Sequence, residues 1–324
     1  MSELRWHPLL EEWVAVAAHR QVRPIALGGK ADTTAACPFC PGGAEGLTMD
    51  FEFLTLDNRF PSFQRGGPLS GPVGGAELGR RARSGGACEV VLYSKRHDTT
   101  LAQASREQVY RLVKVWTDRY RELAERPDVK YVYIFENKGA AVGVTLTHPH
   151  GQIYAFPFIP PRVRTELAAE RRYRTRHRRC LLCDLVKGEI AGRSRIVTLS
   201  RSFISYIPFF ARYPYEVHIA SRRHLGHLGQ MTEAEQWDLA GTLRTILRKY
   251  DRLWGISMPY IMLMHQTPTD GGRHPSHHFH IEFYPPHRTR DKIKFLAGCE
   301  AGAGTFINDT IPEAKAAELR RAGS

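Results

Sequence analysis

The sequence predicts an α+β fold made of two similar halves, each an antiparallel sheet crossed by one helix. Three repeated features support this prediction. Two Cys-x-x-Cys pairs begin at Cys37 and Cys180. Each pair is followed by strands and a capped helix in the same order, and each half then reaches a His-x-His motif, at His148 and His278. Because the matches keep their order, we interpret the chain as a duplication joined into one extended, mainly antiparallel sheet.

The first half, residues 1–165, contains the elements that define the repeat. Its predicted strands, rich in apolar or alternating residues, are Phe51–Leu56, Glu89–Tyr93 and Lys130–Glu136. Between the last two, Ser105 and Gln108 form a capping box ahead of a helix. One face of that helix is apolar, comprising Leu112, Val113, Trp116, Tyr120 and Leu123. Pro127 is expected to end the helix.

The second half, residues 166–324, repeats this order at nearly constant offsets. An offset of 143 carries Cys37-x-x-Cys40 onto Cys180-x-x-Cys183 and Phe53–Leu56 onto Ile196–Leu199. Offsets of 127 to 130 carry Glu89-Val90 onto Glu216-Val217, His97 onto His224, Ser105 onto Thr232, Tyr131 onto Tyr260 and His148 onto His278. The drop in offset falls at Gly66–Gly86, where eight glycines predict a mobile surface loop.

The composition favours an anionic partner. Lys and Arg number 46 against 33 Asp and Glu, a formal charge of +13. Part of this excess lies in Arg162–Arg179, which has eight arginines. We expect this run to be a solvated helix face beside a phosphate site, because it offers no series of aromatic side chains for nucleic-acid stacking.

The chain is expected to be cytoplasmic and not to enter a membrane. No apolar run approaches the ~20 residues that span a bilayer. Trp6, His7, Glu11 and Glu12 interrupt the region where a signal peptide would be apolar. In a cytosolic protein, paired Cys-x-x-Cys motifs are more often metal-binding knuckles than disulfides.

Two Cys2His2 sets are candidate zinc sites. The first comprises Cys37, Cys40, His97 and His148, and the second comprises Cys180, Cys183, His224 and His278. Two thiolates and two imidazoles suit tetrahedral zinc, and four protein ligands leave no open position, so each ion would be structural. The alternative is that each pair consists of buried thiols that happen to be close. No organic cofactor is expected.

His150 is the candidate nucleophile. A neutral imidazole attacks phosphorus well near pH 7, and His150 follows the metal-binding His148 by two residues on an extended segment. Gly151 would let a phosphate approach the backbone, and Gln152 would donate to its oxygens. A core histidine is the alternative. The matching His280 is followed by Ile281-Glu282, so we expect the second copy to lack chemistry.

Four motifs together resemble the galactose-1-phosphate uridylyltransferase family, a branch of the histidine-triad superfamily, over residues 20–300. They are Cys37-Pro-Phe-Cys40, Asn137-Lys-Gly-Ala-Ala, His148-Pro-His150-Gly-Gln152 and Phe283-Tyr-Pro-Pro286. The resemblance implies two histidine-triad-like halves and a ping-pong reaction. His150 would take a uridylyl group from UDP-glucose, release glucose 1-phosphate, and pass the group to galactose 1-phosphate to form UDP-galactose. Gln152 would stabilise the intermediate.

The same resemblance implies substrate contacts and an assembly. The matching positions are Arg20, Arg23, Asn58, Asn137, Gly143, Val144, Thr145, Lys294, Phe295 and Glu300. Arg59 stands where the family more often has Asp, which departs from the ribose-binding pattern. Members are usually homodimers with active sites shared between subunits, which suits the late position of Lys294 and Glu300.

A second departure concerns the metal. Some members hold a second ion on one glutamate and three histidines, which here would be Glu166, His265, His280 and, in place of the last histidine, Glu282. That substitution favours the cysteine-bearing set as the second metal site.

Three other activities share part of this pattern. An enzyme of the same branch that transfers the nucleotide of an ADP-sugar would keep His150. A histidine-triad hydrolase would need histidine in place of Gln152. A zinc-knuckle nucleic-acid binder would form no covalent intermediate.

Overall fold

A computed structural model describes residues 2–22, 37–43, 45, 50–64, 79–144 and 146–323, without the side chains of residues 21 and 22. The helices are α1 (Arg106–Ala124), α2 (Pro161–His177), α3 (Leu181–Gly192), α4 (Glu233–Trp254), α5 (Gly298–Ala303) and α6 (Pro312–Arg321). The strands of the first half are β1 (Glu3–His7), β2 (Glu12–Val16), β3 (Leu54–Asp57), β4 (Arg81–Arg83), β5 (Ala87–Leu92), β6 (Tyr131–Lys138) and β7 (His150–Phe156). Those of the second half are β8 (Ile196–Leu199), β9 (Phe203–Tyr206), β10 (Val217–Ser221), β11 (Tyr260–His265), β12 (His280–Tyr284), β13 (His287–Thr289) and β14 (Lys292–Ile293).

One nine-stranded antiparallel sheet runs through both halves, as predicted. Its strand order is β3-β5-β7-β6-β11-β12-β10-β9-β8. The halves meet where β6 pairs with β11, with Met262 opposite Glu136. The α+β architecture of two joined antiparallel sheets is therefore confirmed.

Helices α1 and α4 cross the same face of this sheet and bury its core. Both begin with the predicted capping boxes, formed by Ser105 with Gln108 and by Thr232 with Glu235. A side-chain cap of this kind stabilises a helix by about 1 kcal/mol. The apolar sides of the helices, including Trp116 of α1, lie fully buried against the central strands.

The repeat differs from the sequence match at the outer edge of the sheet. Strand β3 pairs with β5, just as β9 pairs with β10, so β3 occupies the position of β9. Strand β8, at the edge of the second half, has no counterpart among the described residues of the first half. The alignment of Phe53–Leu56 with Ile196–Leu199 is therefore wrong. The cysteine pairs matched correctly, but the extra strand shifts everything between them and β10.

A one-residue slip also separates two matched strands. Leu92 pairs with His150 and Ala220 pairs with His280, so the strands correspond at an offset of 128 rather than 127. The predicted offset aligned Glu89, which faces Arg119 of α1, with a residue on the other face of the sheet. A slip of one residue turns every side chain of a strand to the opposite face.

Several elements were not predicted. Strands β1, β2 and β4 form a separate three-stranded sheet, and β4 lies within the predicted Gly66–Gly86 loop. Residues 66–78 of that loop lie outside the described ranges. The arginine run does form a helix, α2. No helix in the described ranges is both long and apolar enough to cross a membrane.

Candidate active site and metal clusters

Strand β7 places alternate side chains on opposite faces of the sheet. Ile153 and Ala155 point into the core beneath the crossing helices. His150, Gln152 and Tyr154 lie on the opposite face, because successive residues of a strand alternate. The predicted nucleophile His150 and the predicted phosphate-binding Gln152 therefore lie on the same face of the sheet, two residues apart.

A backbone carbonyl orients His150. Its Nδ1 atom lies 2.8 Å from the carbonyl oxygen of His148. Since a carbonyl oxygen only accepts, Nδ1 carries the hydrogen and the lone pair of the neutral ring is on Nε2. The ring of Phe39 packs against His150 with centroids 5.4 Å apart. Phe39 lies between the first two cysteines, so the knuckle contacts the candidate nucleophile directly.

The structure gives Gly151 a role other than the one predicted. A Cβ atom at this position would collide with the hydroxyl of Tyr93, which is itself buried on the core side of β7. Glycine is therefore required for packing of the core side of the strand. The predicted close approach of phosphate remains an expectation.

The first Cys2His2 set comes together. The four ligand atoms of Cys37, Cys40, His97 and His148 lie within 4.8 Å of one another. Cys40 Sγ is 3.4 Å from His97 Nδ1 and 3.6 Å from His148 Nδ1. A tetrahedral zinc with ordinary bond lengths separates a sulfur and a nitrogen ligand by about 3.6 Å.

Hydrogen bonds on the far side of both imidazoles complete this cluster. His148 Nε2 is 2.8 Å from the carbonyl oxygen of Ser94, and His97 Nε2 is 2.9 Å from Thr147 Oγ1. Such bonds hold the outer nitrogen and direct the inner one at a metal. The donor set therefore fits zinc in geometry and in chemistry.

The second Cys2His2 set has the same arrangement. Cys183 Sγ lies 3.3 Å from His278 Nδ1 and 3.7 Å from His224 Nδ1. His278 Nε2 is 2.9 Å from the carbonyl oxygen of Ser221, the counterpart of Ser94. Cys180 occupies the N-cap position of α3, and Cys183 lies in the first turn of that helix. The ligand atoms of this set are also within 4.8 Å of one another.

The buried environment of this second set favours ligand chemistry. Burial, with the rings of His224 and His280, lowers the pKa of His278 to about 3, so its imidazole is neutral and able to bind a metal. Burial raises the pKa of the Cys180 thiol to about 12 in the metal-free protein. Its thiolate would therefore need a cation beside it.

A third cluster lies on the same face of the sheet in the second half. Glu166, His265 and His280 place their ligand atoms within 4.8 Å of one another. Glu166 Oε2 is 2.8 Å from His265 Nδ1. The fold thus assembles both sets that the sequence presented as alternatives for a second metal.

Glu282 contacts both histidines of this cluster, with carboxylate oxygens 3.6 Å from His265 Nε2 and 3.6 Å from His280 Nε2, but it also has other partners. Arg212 Nη2 lies 3.1 Å from one of its oxygens, and His218 Nε2 lies 3.2 Å from the other. The hydroxyl of Tyr284 also donates to it. Its carboxylate is therefore shared between the cluster and the protein cations around it, and the third cluster has three close ligand groups where each cysteine-bearing set has four.

A cavity of about 350 Å³ opens beside His150. Of the predicted substrate-binding residues, Asn137 and Val144 line it together with His148 and His150. Gly143 adjoins it in a left-handed conformation, φ +80°. Gly139, also with positive φ, lies so close to Pro259 that a side chain would clash, which holds this loop against the second half.

Sequence reasoning missed several lining residues of this cavity. They are Asp98, Thr99 and Thr100, which follow the metal-binding His97, and Lys138 and Ser257. The first three are adjacent to a recognised motif and could have been inferred from it. Ser257 follows α4 of the second half, and no local sequence signal indicates its position.

A buried carboxyl group also lines this cavity. Glu136 precedes Asn137 on β6 and accepts a hydrogen bond from Tyr260 at 2.8 Å. Burial raises the pKa of Glu136 to about 7. It is therefore partly protonated at neutral pH.

The other predicted substrate-binding residues lie outside the lining of this cavity. Arg20 donates to the carbonyl oxygen of Phe60 at 3.0 Å and reaches the hydroxyl of Tyr154, which follows Gln152 on the same face. Asn58 accepts from the backbone of Phe60 at 2.8 Å in a turn. Arg23 and Thr145 lie outside the described residues.

The late residues form a local group. Lys294 is buried, and its Nζ is 2.8 Å from Glu300 Oε1. The neighbouring Phe295 is 73% exposed. Within one chain, these three side chains do not line the cavity beside His150.

Comparison with known proteins decides the family. The profile for the N-terminal domain of galactose-1-phosphate uridyl transferase matches residues 1–160, and that for its C-terminal domain matches residues 166–323. The chain belongs to the galactose-1-phosphate uridylyltransferase family. The resemblance seen in the sequence motifs is thereby confirmed.

Relatives of this family match over most of their lengths. A galactose-1-phosphate uridylyltransferase of Thermotoga maritima is 41% identical over 99% of this chain and 98% of its own. One from Rattus norvegicus is 34% identical over 98% of this chain and 87% of its own. A solved uridylyltransferase structure superposes with a TM-score of 0.86 at 34% identity, covering 99% of this chain and 98% of its own.

A more distant solved structure shares the fold. An ADP-glucose phosphorylase from Arabidopsis thaliana superposes with a TM-score of 0.74 at 23% identity, over 99% of this chain and 98% of its own. At that identity the likeness concerns the fold alone.

Proposed function

We propose that the chain is a UDP-glucose–hexose-1-phosphate uridylyltransferase, which converts UDP-glucose and galactose 1-phosphate to glucose 1-phosphate and UDP-galactose. One observation carries the mechanism. His150 is at the edge of a cavity, with its Nδ1 hydrogen bonded to a carbonyl oxygen and its lone pair therefore on Nε2. Membership of the family, with relatives matched over nearly their whole length, supports the substrates.

In the first half-reaction, Nε2 of His150 attacks the α-phosphorus of UDP-glucose. The P–N bond forms while the bond from that phosphorus to the bridging oxygen breaks, and its electron pair leaves with glucose 1-phosphate. The ring then bears a positive charge, which the carbonyl oxygen of His148 stabilises through the Nδ1 hydrogen. Gln152 lies next on the same face and donates to the phosphoryl oxygens.

In the second half-reaction, a phosphate oxygen of galactose 1-phosphate attacks the same phosphorus. The P–N bond breaks, and its electron pair returns to Nε2 of His150. A covalent intermediate divides one difficult transfer into two easier ones. The enzyme therefore needs no general base to deprotonate an alcohol, since the acceptor is already an anion.

The first Cys2His2 set holds a structural zinc. Such an ion would crosslink the knuckle to His97 and His148, and so stabilise the segment that positions His150. The contact of Phe39 with His150 links the knuckle to the same ring. The second Cys2His2 set holds a second structural zinc, supported by its equivalent ligand geometry.

The substrate-binding residues are Asn137, Gly143, Val144, Thr145, Arg20 and Asn58. Asn137 and Val144 line the cavity beside His150, and Arg20 reaches Tyr154 on the face that carries His150. Arg23 belongs to the same group of contacts. In a homodimer, the segment that carries Lys294, Phe295 and Glu300 borders the active site of a second subunit, with Phe295 exposed and Lys294 paired with Glu300 behind it. The adjacent side chains of Phe295 and Leu296 are both exposed, and they form an apolar surface that a second subunit would cover. The enzyme works in the cytoplasm.

The two repeats are residues 1–165 and 166–324. Their boundary lies inside α2, so the helix begins in one half and ends in the other. The β6–β11 pairing supports treating both as parts of one rigid sheet rather than as separate domains.

Nucleotide preference distinguishes this proposal from ADP-sugar transfer. Purified protein with galactose 1-phosphate should form UDP-galactose from UDP-glucose and no ADP-galactose from ADP-glucose. Formation of the adenine product alone would reject the uridylyl assignment while leaving the role of His150 intact.

A further inference from the structure

A second cavity, of about 440 Å³, lies in the second half and shares no lining residue with the cavity beside His150. One wall is the later part of α2, and the other is the loop 273–277 that leads into His278. Four arginines line it, namely Arg171, Arg174, Arg178 and Arg273. We call this cavity the arginine pocket.

The guanidinium groups of this pocket form no ion pair with a carboxylate of the described residues. In the part of the chain that the structure describes, ion pairs engage other arginines, such as Arg179 with Asp184 at 2.8 Å, and none of these four. Arg174 donates to the carbonyl oxygen of Pro275 at 3.4 Å and so bridges the two walls. The four side chains are exposed, so water screens their mutual repulsion, and an anion bound between them would gain contacts with several guanidinium groups at once.

The buried side of the pocket offers a further polar group. His277 is fully buried, and its Nδ1 lies 3.2 Å from Glu170 Oε2. Its Nε2 has no hydrogen-bond partner among the described residues. Glu170 is the one carboxylate in the lining, and His274 is paired with Asp270 at 2.8 Å. The pocket therefore has a large positive excess.

We propose that the arginine pocket binds a phosphorylated small molecule through its phosphate groups. A guanidinium fork matches two phosphate oxygens at once, and four such forks around one cavity suit a ligand of two or more negative charges. The volume suits a small molecule, which can enter a cavity of this size, whereas a nucleic-acid duplex or a lipid surface is too large to enter it. The lining also lacks aromatic rings that would stack nucleic-acid bases, apart from its histidines.

The arginine pocket lies on the segment that corresponds, in the second half, to a border of the cavity beside His150. In the first half, the residues before His148 border the catalytic cavity, including Val144 and Thr147. In the second half, the corresponding residues before His278 border the arginine pocket and include Arg273. Each half thus builds a cavity on the loop that enters its metal-binding histidine. The pocket binds without a covalent step and does not depend on uridylyl transfer.

Hydrogen–deuterium exchange with inorganic pyrophosphate tests the proposal on the whole chain. We expect pyrophosphate to protect the peptides covering 167–178 and 270–278, with a Kd read from that protection. The double variant Arg171→Ala/Arg178→Ala should weaken this Kd by ~10-fold or more, since each change removes charge-assisted hydrogen bonds. Glucose 1-phosphate and UDP, used as separate probes, establish which phosphate ester the pocket prefers.

The matched control is Arg172→Ala/Arg176→Ala, which removes the same charge from the same helix at positions outside the lining. It should leave the Kd within about twofold. Equal weakening in both double variants, or tighter protection by single-stranded DNA than by pyrophosphate, would overturn the proposal. Should the first variant unfold, Arg273→Gln on the loop provides the same comparison without altering α2.

Discussion

His150 Nδ1 lies 2.8 Å from the carbonyl oxygen of His148, and His280 Nδ1 lies 3.0 Å from the carbonyl oxygen of His278. The same bond therefore orients a histidine at the start of the equivalent strand in each half. The two strands differ two positions later, where one half has Gln152 and the other has Glu282. The orienting bond therefore occurs in both repeats, and we propose that the side chain at the later position, Gln152 in the first half, makes the difference in chemistry.

Replacing Gln152 by Glu should convert the first motif toward the second. A carboxylate would repel the phosphoryl oxygens that the amide is proposed to bind. We expect kcat to fall by ~10²–10³, with the unfolding midpoint little changed, as for loss of an oxyanion donor. Steady-state transfer assays measure this, with Gln152→Ala as the uncharged comparison. A Gln152→Glu enzyme as active as wild type would contradict the role of the amide.

The two Cys2His2 sets should differ in their effect on activity. Cys40→Ser and Cys183→Ser should each lower bound zinc by one ion per chain, because each removes a thiolate ligand. Only Cys40→Ser should reduce transfer strongly, since the first set adjoins His150. Metal analysis and transfer assays on the same preparations separate these effects. Equal losses of transfer activity in the two variants would contradict the prediction that the first set supports His150 more directly than the second.

Gly151→Ala should destabilise the protein through the core side of β7. The added methyl group would collide with the hydroxyl of Tyr93. Overpacking of this kind costs roughly 1–3 kcal/mol in unfolding free energy. Denaturant unfolding should show that loss, and the second change Tyr93→Phe should recover part of it. No recovery would mean that the glycine is needed for another reason.

Glu136→Gln should remove a pH-dependent loss of folding stability. The folded pKa of Glu136 is raised to about 7 from an ordinary value of 4.5. Between those values the unfolded chain ionises while the folded protein keeps the proton. The contribution of Glu136 to the free energy of unfolding is therefore most favourable below pH 4.5, and it is lost as the pH rises through about 7.

Relative to wild type, the variant should consequently gain stability between pH 5 and pH 8, by roughly 2–3 kcal/mol of unfolding free energy. Comparing the two proteins at each pH cancels the titration of other groups. A difference that does not change with pH would show that Glu136 ionises normally in the folded state.

Local signals were sufficient to predict much of the fold. Both capping boxes have side chains that act on their own backbone, so Ser105 and Thr232 mark the helix starts reliably. The Cys-x-x-Cys and His-x-His motifs place candidate metal ligands close together in the sequence, so both Cys2His2 sets could be predicted from the spacing of these residues. The order of elements then indicated the duplication and the shared sheet.

The features that could not be predicted depend on strand register and on distant partners. No local sequence feature distinguishes an offset of 127 between the two repeats from one of 128. That one residue nevertheless decides whether the residue aligned with Glu89, which pairs with Arg119 of α1, lies on the helix-covered face of the sheet or on the opposite face. Ser257 reaches the cavity beside His150 from the second half, and the arginine pocket forms only when loop 273–277 packs near α2. Such juxtapositions come from the tertiary fold.

The most direct test of the proposed mechanism is to locate the covalent intermediate. After incubation with UDP-glucose alone, then quenching and proteolysis at neutral to alkaline pH, mass spectrometry should find an acid-labile uridylyl group on His150. The peptide containing His280 should be unmodified and serves as an internal control, because its ring is oriented in the same way. The label should be absent from His150→Ala and should disappear from wild type on adding galactose 1-phosphate. A label on another residue, or transfer by His150→Ala at the wild-type rate, would contradict the mechanism.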